Sequence, residues 1–434
     1  MKIKNKISII DIITFISIII FVKILGSYKF GLGDQTAHLP PIFRLLDDSF
    51  ISNDFFVNVR ETFGPRYYYN NCIAFLGKFF PLDKLFLLLT IIANFSIAIV
   101  TYFLSKKLFG ESKLIILTTI ALVMTINPFV LGGGGWVVTN YLKPSLLARP
   151  FAYSAIFFAI SQRPSLVVFM SCIAALFHPT LGTETGVFCL AILFMGNYLK
   201  LKESKKYDFF SISGIFSQTI IFSLIFILFI VLCWILPYDR SVSSEKFIEI
   251  MTFRAWSSLL PSYFDLTAYF GLILFMFMFF LSWSYWHRET STDNYLSKLI
   301  IIPIISVILF CLCGFLFVEI FPTRLFMTAW TFRTLYIVKW LGIIIVCGVL
   351  VLYINNKRNE VLKYFYGLIP NKIIVPLFYL VFVLLVYFVF SKSGMINPLY
   401  FFGAIILVMW FMLVNNLMVR NLLPIVSSFL LLLN

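Results

Sequence analysis

Apolar runs close to the roughly 20 residues that an α-helix needs to cross a bilayer recur along the whole chain. They lie at about 7–26, 84–104, 114–131, 146–162, 165–178, 183–199, 212–236, 266–286, 299–318, 335–354, 373–390 and 399–419, and a short apolar tail at 422–433 is a further candidate. With 61% of its 434 residues hydrophobic and 12% charged, the chain carries more apolar surface than a soluble domain buries. In hydrocarbon every backbone N–H and C=O must find a partner within its own segment, which a helix provides. The expected fold class is therefore all-α: a polytopic transmembrane helix bundle of about 12–13 spans, forming a single membrane-embedded domain over residues 1–434. The runs 146–162 and 165–178 are short, and the second ends at His178-Pro179, so tilted or re-entrant paths are expected there.

Orientation follows from the basic residues. Lys2, Lys4 and Lys6 precede a first run that is long for a signal-peptide core and lacks a small-residue cleavage site after it. It reads as a retained span with its N-terminus in the cytoplasm, and Lys and Arg then exceed the acids in the inside loops while nearly balancing them outside. The formal charge of +15 is explained by orientation, so no nucleic-acid partner is expected. Of the seven cysteines only Cys72 lies outside an apolar run, which argues against a disulfide framework; Cys311 and Cys313 read as small packing residues rather than metal ligands.

The loops differ in kind. Inside loops such as "SKKLFGESK" and "KLKESKKYD" carry charge and little else, whereas the outside loops 27–83, 132–145, 237–265 and 319–334 are mostly longer, aromatic and mixed in charge. Chemistry is expected to face away from the cytoplasm. The chain has no GxxxxGKS/T, GxGxxG or HExxH sequence, which disfavours an ATP-driven pump, a dinucleotide enzyme and a common zinc protease. No internal repeat is evident, which weakens a transporter built from inverted halves.

The first outside loop, 27–83, contains "GLGDQTAHLPPIFRLLDDSFISNDFF". Gly33 frees the backbone just before Asp34, and Pro40-Pro41 can start an interfacial helix with Ile42, Phe43, Leu45, Leu46 and Phe50 on its apolar stripe. Asp34, at the lip of the first span, is either a helix cap or a functional acid; His38 is its candidate i,i+4 partner, although the double proline disfavours a continuous helix there. Asp47, Asp48 and Asp54 read mainly as a solvated turn with a cap. In "GGGGWVVTNYLKPSLLARPFAYS" the glycines mean a mobile or closely approached backbone, and Lys143 and Arg149 flank a span entrance where Arg149 either snorkels or binds. "ALFHPTLGTETG" places His178 and Glu184 around a Pro-Gly turn, and ionisable groups at membrane depth usually face a cavity. Later outside loops supply Arg254, Arg324 and Arg333. Arginines converging near the surface would grip a lipid phosphate or pyrophosphate in bidentate fashion.

This plan resembles the GT-C superfamily of membrane glycosyltransferases: one span with its N-terminus inside, a long outside loop with an early acid and an interfacial helix, then further spans with arginine-bearing outside loops. The resemblance rests on that plan and on "GLGDQTAHLP". It implies a lipid-linked sugar donor of the polyprenyl-phosphate or -diphosphate kind, a glycan or lipid acceptor, and residence in a bacterial inner membrane. It puts Asp34 in the place of the catalytic acid, and Arg254, Arg324 or Arg333 at the donor phosphate. Many members carry Asp-Glu or Asp-x-Asp where this chain has Asp34-Gln35-Thr36. The absence of a large soluble C-terminal domain argues against the oligosaccharyltransferase branch. No cofactor or metal site is indicated, and metal use stays open.

On this reading Asp34, with His38 nearby, is the catalytic group, acting as general base on an acceptor hydroxyl. Arg149, His178, Glu184, Arg254, Arg324 and Arg333 bind substrate, and "RYYYNN" at 66–71 offers a sugar ring stacking faces and hydroxyls. The alternatives are a transporter or flippase for a lipid-linked or anionic substrate, which should place charges near mid-membrane, and a polysaccharide polymerase or ligase. Lys23, Lys84, Arg149 and Lys339 are expected to lie close enough to span ends to snorkel.

Overall fold

The computed structural model describes residues 9–368, except 26–27, 60–62, 134–135, 205–208, 238–241 and 290–293. The expected spans at 373–390 and 399–419 and the tail at 422–433 lie outside the described residues. Among the described residues there are helices and no strand. In chain order they are α1 (Ile9–Leu25), α2 (Gln35–Leu46), α3 (Phe55–Val59), α4 (Tyr67–Gly77), α5 (Leu82–Phe109), α6 (Lys113–Thr125), α7 (Pro144–Ile160), α8 (Pro164–Phe177), α9 (Pro179–Ser204), α10 (Phe209–Ile230), α11 (Ser244–Leu259), α12 (Leu266–Glu289), α13 (Asn294–Gly314), α14 (Arg324–Ala329) and α15 (Leu335–Leu368). Short π-helical segments, Val231–Ile235 and Phe315–Ile320, extend α10 and α13.

Among the described residues six segments are long and apolar enough to cross a membrane: Leu82–Phe109, Pro179–Lys202, Phe216–Ile235, Leu266–Glu289, Tyr295–Ile320 and Thr331–Tyr353. The apolar helices α6, α7 and α8 are shorter, and at about 1.5 Å per residue even α7 reaches only about 25 Å, below the thickness of a hydrocarbon core.

The main core is built around α15, whose Ile337, Val338, Trp340, Leu341, Ile344 and Ile345 are buried. Around it pack α1, α5 to α9, α12 and α13. The outer helices α10 and α12 expose Leu224, Ile227, Leu228, Phe270, Ile273 and Phe277. A helix that is apolar all round and still uncovered suits contact with lipid.

Proline and small residues set the paths of the shorter helices. Pro144 and Pro164 open α7 and α8, where a missing N–H costs nothing. At His178 the backbone turns extended, Pro179 opens α9, and α8 and α9 fold into an antiparallel hairpin. Their crossing is close: a Cβ on Gly182 would meet the Ala175 backbone N at 2.1 Å.

The loop between α1 and α5 forms a second, smaller core in which Leu39 and Ile42 of α2 pack with Tyr69, Ile73 and Ala74 of α4 and with Leu85, Phe86 and Leu142. The expected amphipathic helix is present but begins earlier than Pro40: α2 starts at Gln35 and runs through Pro40 and Pro41. Its first turn is closed by i→i+3 bonds from Gln35 to Leu32, Thr36 to Gly33 and Ala37 to Asp34, and burial of Leu39 and Ile42 holds the rest. The acids after it serve the turn. Asp47 accepts from Ser49 N at 2.8 Å, Arg44 donates to the Asp48 carbonyl, and Asp54 caps α3 through Val57 N at 2.8 Å.

Candidate functional site

Asp34 precedes the first residue of α2, Arg66 that of α4, Lys143 that of α7 and His178 that of α9. These four helix N-termini converge. Lys143 Nζ lies 3.3 Å from Asp34 Oδ2, with the lysine side chain 13% exposed and the carboxylate 56% exposed. The Asp34 charge also reaches Arg66, Arg149 and Arg333, and His178 lies within electrostatic reach of Arg333, Arg149, Arg66 and Lys143. The positive ends of the helix dipoles add to the charge of Arg66, Lys143, Arg149 and Arg333, so the field favours an anion.

Two local devices set Asp34 in place. Gly33 has φ +60, and a Cβ there would come within 3.2 Å of the Tyr141 ring, so a side chain is disfavoured by both backbone and space. Gln35 is fully buried: its Oε1 accepts from Gly31 N at 2.8 Å and its Nε2 donates to the Leu142 carbonyl at 3.2 Å. It clamps the loop before α2 against the loop before α7 and thereby sets Asp34 beside Lys143. The residue that departs from the Asp-Glu pattern has a structural task here.

Burial lowers Lys143 to about 8; Arg149 adds to that shift, and Asp34 opposes it without cancelling it. Burial likewise lowers Arg66, again with Asp34 opposing. Arg149 is only 3% exposed, and its Nε and Nη1 find no protein acceptor. Arg66 Nη1, Arg333 Nε and Glu184 Oε1 also lack a protein partner. Buried polar atoms are nearly always paired with protein, water or ligand, so several such donors around one carboxylate make this the candidate place for an anion. His178 and Glu184 are densely surrounded by protein yet half-buried rather than sealed, as residues lining a recess would be.

Arg333 is aimed by a strained turn. Trp330 adopts φ +55, which a bulky residue rarely tolerates, and the Arg333 guanidinium stacks over its ring at 3.7 Å. The glycine loop buttresses this turn: a Cβ on Gly132 would meet Phe332 at 2.4 Å, and one on Gly133 would meet Ser258 at 2.7 Å. The backbone there is closely approached, while Gly134 and Gly135 lie outside the described residues. His178 Nδ1 accepts from Leu181 N at 3.3 Å and pairs with Thr180 Oγ1 at 3.1 Å, which leaves the proton of the neutral ring on Nε2 as a donor.

The structure thus brings together Asp34, Arg149, His178, Glu184 and Arg333. His38, four residues from Asp34, is buried with its ring edge-on to Tyr69 at 5.6 Å, inside the α2–α4 core. Arg254 is exposed on α11 and stands at the rim, where its charge reaches Arg66. Arg324 is placed elsewhere: its Nη1 donates to the Val242 carbonyl at 2.6 Å and its guanidinium covers Phe247 at 4.8 Å, tying α14 to the start of α11.

Snorkelling does not occur at Arg149 or Lys339. Lys339 is fully buried, donates to Asn127 Oδ1 at 2.8 Å and lies 4.5 Å from the Phe129 ring centroid. Lys339 therefore takes polar and aromatic partners inside the bundle, while Arg149 is buried near the start of α7 beside the charge cluster. Sequence reasoning did not place Arg66 or Lys143 beside Asp34. One signal was available, since Lys143 and Arg149 each directly precede a proline of α7 and His178 directly precedes the proline that opens α9.

No family model matches the chain, and no curated protein and no solved structure shows significant similarity to it.

Proposed function

We propose that the protein is a membrane glycosyltransferase of the GT-C kind, moving a sugar from a polyprenyl-phosphate or -diphosphate donor to an acceptor hydroxyl at the extracytoplasmic face. The observation that carries this reading is one exposed carboxylate, Asp34, ringed by Arg66, Lys143, Arg149 and Arg333, three of which hold donors without a protein acceptor. Asp34 takes the proton of the acceptor hydroxyl while the cations and the helix N-termini hold the phosphate that leaves. Removing a positioned base typically costs about 10²–10⁴-fold in rate. Asp34→Asn should therefore abolish transfer from a lipid-linked donor while the protein remains folded and inserted, and undiminished transfer removes Asp34 from the mechanism.

A second reading is a carrier for a lipid-linked or anionic glycan. It is favoured by Lys339, which is fully buried in an apolar helix against Asn127 and Phe129. Reconstituted vesicles separate the two: a covalent product supports transfer, and substrate crossing without product supports carriage.

A further inference from the structure

Directly after Arg66 the chain builds an aromatic corner from residues far apart in sequence. Phe63, Tyr67 and Tyr68 at the start of α4 meet Trp234, which the π-helical segment Val231–Ile235 carries. Tyr67 and Tyr68 stand at 82° with centroids 5.4 Å apart, Tyr68 and Trp234 at 81° and 5.2 Å, and Phe63 and Trp234 at 50° and 5.6 Å. Phe63 leans on Tyr67 at 44° with centroids 5.3 Å apart, and Tyr67 is 37% exposed, so part of its ring is open to a ligand. Tyr69, next in the run, is fully buried against His38 and takes no part.

Two polar features of this corner lack a full partner. Trp234 Nε1 is buried and donates to nothing in the protein, and Tyr68 Oη reaches the Cys233 carbonyl only at 3.5 Å. A buried indole N–H usually finds an acceptor. Perpendicular aromatic walls also suit a quaternary ammonium group. That occupant is disfavoured here, because Arg66 adjoins the corner and the two charges of Arg66 and Arg254 outnumber the one opposing charge of Asp34. What fits is a neutral ring that presents C–H groups to aromatic faces and hydroxyl oxygens to N–H and O–H donors.

We propose that Tyr67, Tyr68 and Trp234 form a subsite for a neutral pyranose ring, beside Arg66 and therefore beside the charge cluster. This assignment rests on the glycosyltransferase reading for its biological meaning, and its binding chemistry is testable apart from it. The subsite holds a sugar residue of the acceptor or donor glycan, with Trp234 Nε1 donating to a ring hydroxyl and Tyr67 stacking on its C–H face.

The test uses the full chain in lipid nanodiscs free of glycoside detergent, titrated with maltotriose, triacetylchitotriose, choline and inorganic pyrophosphate, with tryptophan fluorescence as readout. At least one trisaccharide should perturb the fluorescence of the wild-type protein and of Asp34→Asn alike. Tyr67→Ala should weaken that binding at least tenfold. Trp234→Phe, which keeps the ring and removes only the N–H, should weaken it about fivefold as followed by saturation-transfer NMR on the sugar, matching the loss of one hydrogen bond. Binding of choline but neither trisaccharide, or trisaccharide binding indifferent to both aromatic variants, overturns the subsite. If transfer requires Asp34 while the KM values for acceptor and donor are both unmoved in Tyr67→Ala and Trp234→Phe, the subsite falls alone. If the variants lose sugar binding while transfer survives in Asp34→Asn, the subsite stands and the general base falls.

Discussion

Replacing Arg149 by methionine should make the empty protein more stable and the site useless. Arg149 is 3% exposed, with Nε and Nη1 unmatched by any protein acceptor. Each unsatisfied buried donor costs about 1–3 kcal/mol, so the two together cost about 2–6 kcal/mol that methionine does not incur. Methionine forfeits the attraction of Arg149 for Asp34, and it relieves the repulsion of Arg149 toward Lys143, His178 and Arg333. Those changes partly offset, which leaves a net gain of about 2–4 kcal/mol, within the roughly 1–4 kcal/mol found when buried ionic groups give way to apolar ones of similar volume. At about 1 °C per kcal/mol for a chain of 434 residues, the midpoint of thermal unfolding should rise by roughly 2–4 °C. The assay is unfolding in nanodiscs with and without pyrophosphate. Pyrophosphate should raise the wild-type midpoint and leave the variant's unchanged. A midpoint that falls in the variant by a comparable amount, or a variant that still responds to pyrophosphate, refutes the reasoning that these donors wait for an anion.

Lys143 sets a pH dependence. Its value in the folded protein, about 8, is depressed from the ordinary 10.5, so below about 8 it carries its charge in both folded and unfolded chains and the burial penalty is fully felt. Stability of the empty protein should rise as pH climbs from about 8 to 10.5, while pyrophosphate affinity falls by about tenfold over the same window as the cation is lost. The pH dependence of the unfolding midpoint without pyrophosphate should place the inflection higher in Arg149→Met, where a repelling neighbour is gone, lower in Asp34→Asn, and nowhere in Lys143→Met. Arg324→Ala, by contrast, should lower the unfolding midpoint through loss of its bond to the Val242 carbonyl, about 1 kcal/mol, and leave pyrophosphate affinity within twofold of wild type, whereas Arg333→Ala weakens it at least tenfold.

The helices were legible because most of the described apolar runs are long and uniform, and long apolar runs have no alternative to a helix in hydrocarbon. Asp34, Arg149, His178, Glu184 and Arg333 were legible as ionisable groups in an otherwise apolar chain, where such residues need a reason. Their partners were not. Lys143 meets Asp34 across 109 residues and Tyr68 meets Cys233 across 165, separations that no local pattern encodes. Nearness to a span end misled at Lys339, since position along a helix says nothing of whether that end faces water or the bundle. The double proline misled at His38, because core packing of Leu39 and Ile42 outweighs two missing backbone donors.

The charge cluster sits where α2, α4, α7 and α9 begin, and this has a consequence for the bilayers the protein can inhabit. A mismatch between helix length and membrane thickness is absorbed at helix ends by tilting, trimming or lengthening. Here one end of each of these helices is anchored in the charge cluster, so adjustment falls to the opposite ends, near Ile160 of α7 and Ser204 of α9. Thicker or thinner membranes can then be met by adding or removing turns far from Asp34, without altering the distance from Asp34 to any of its cations.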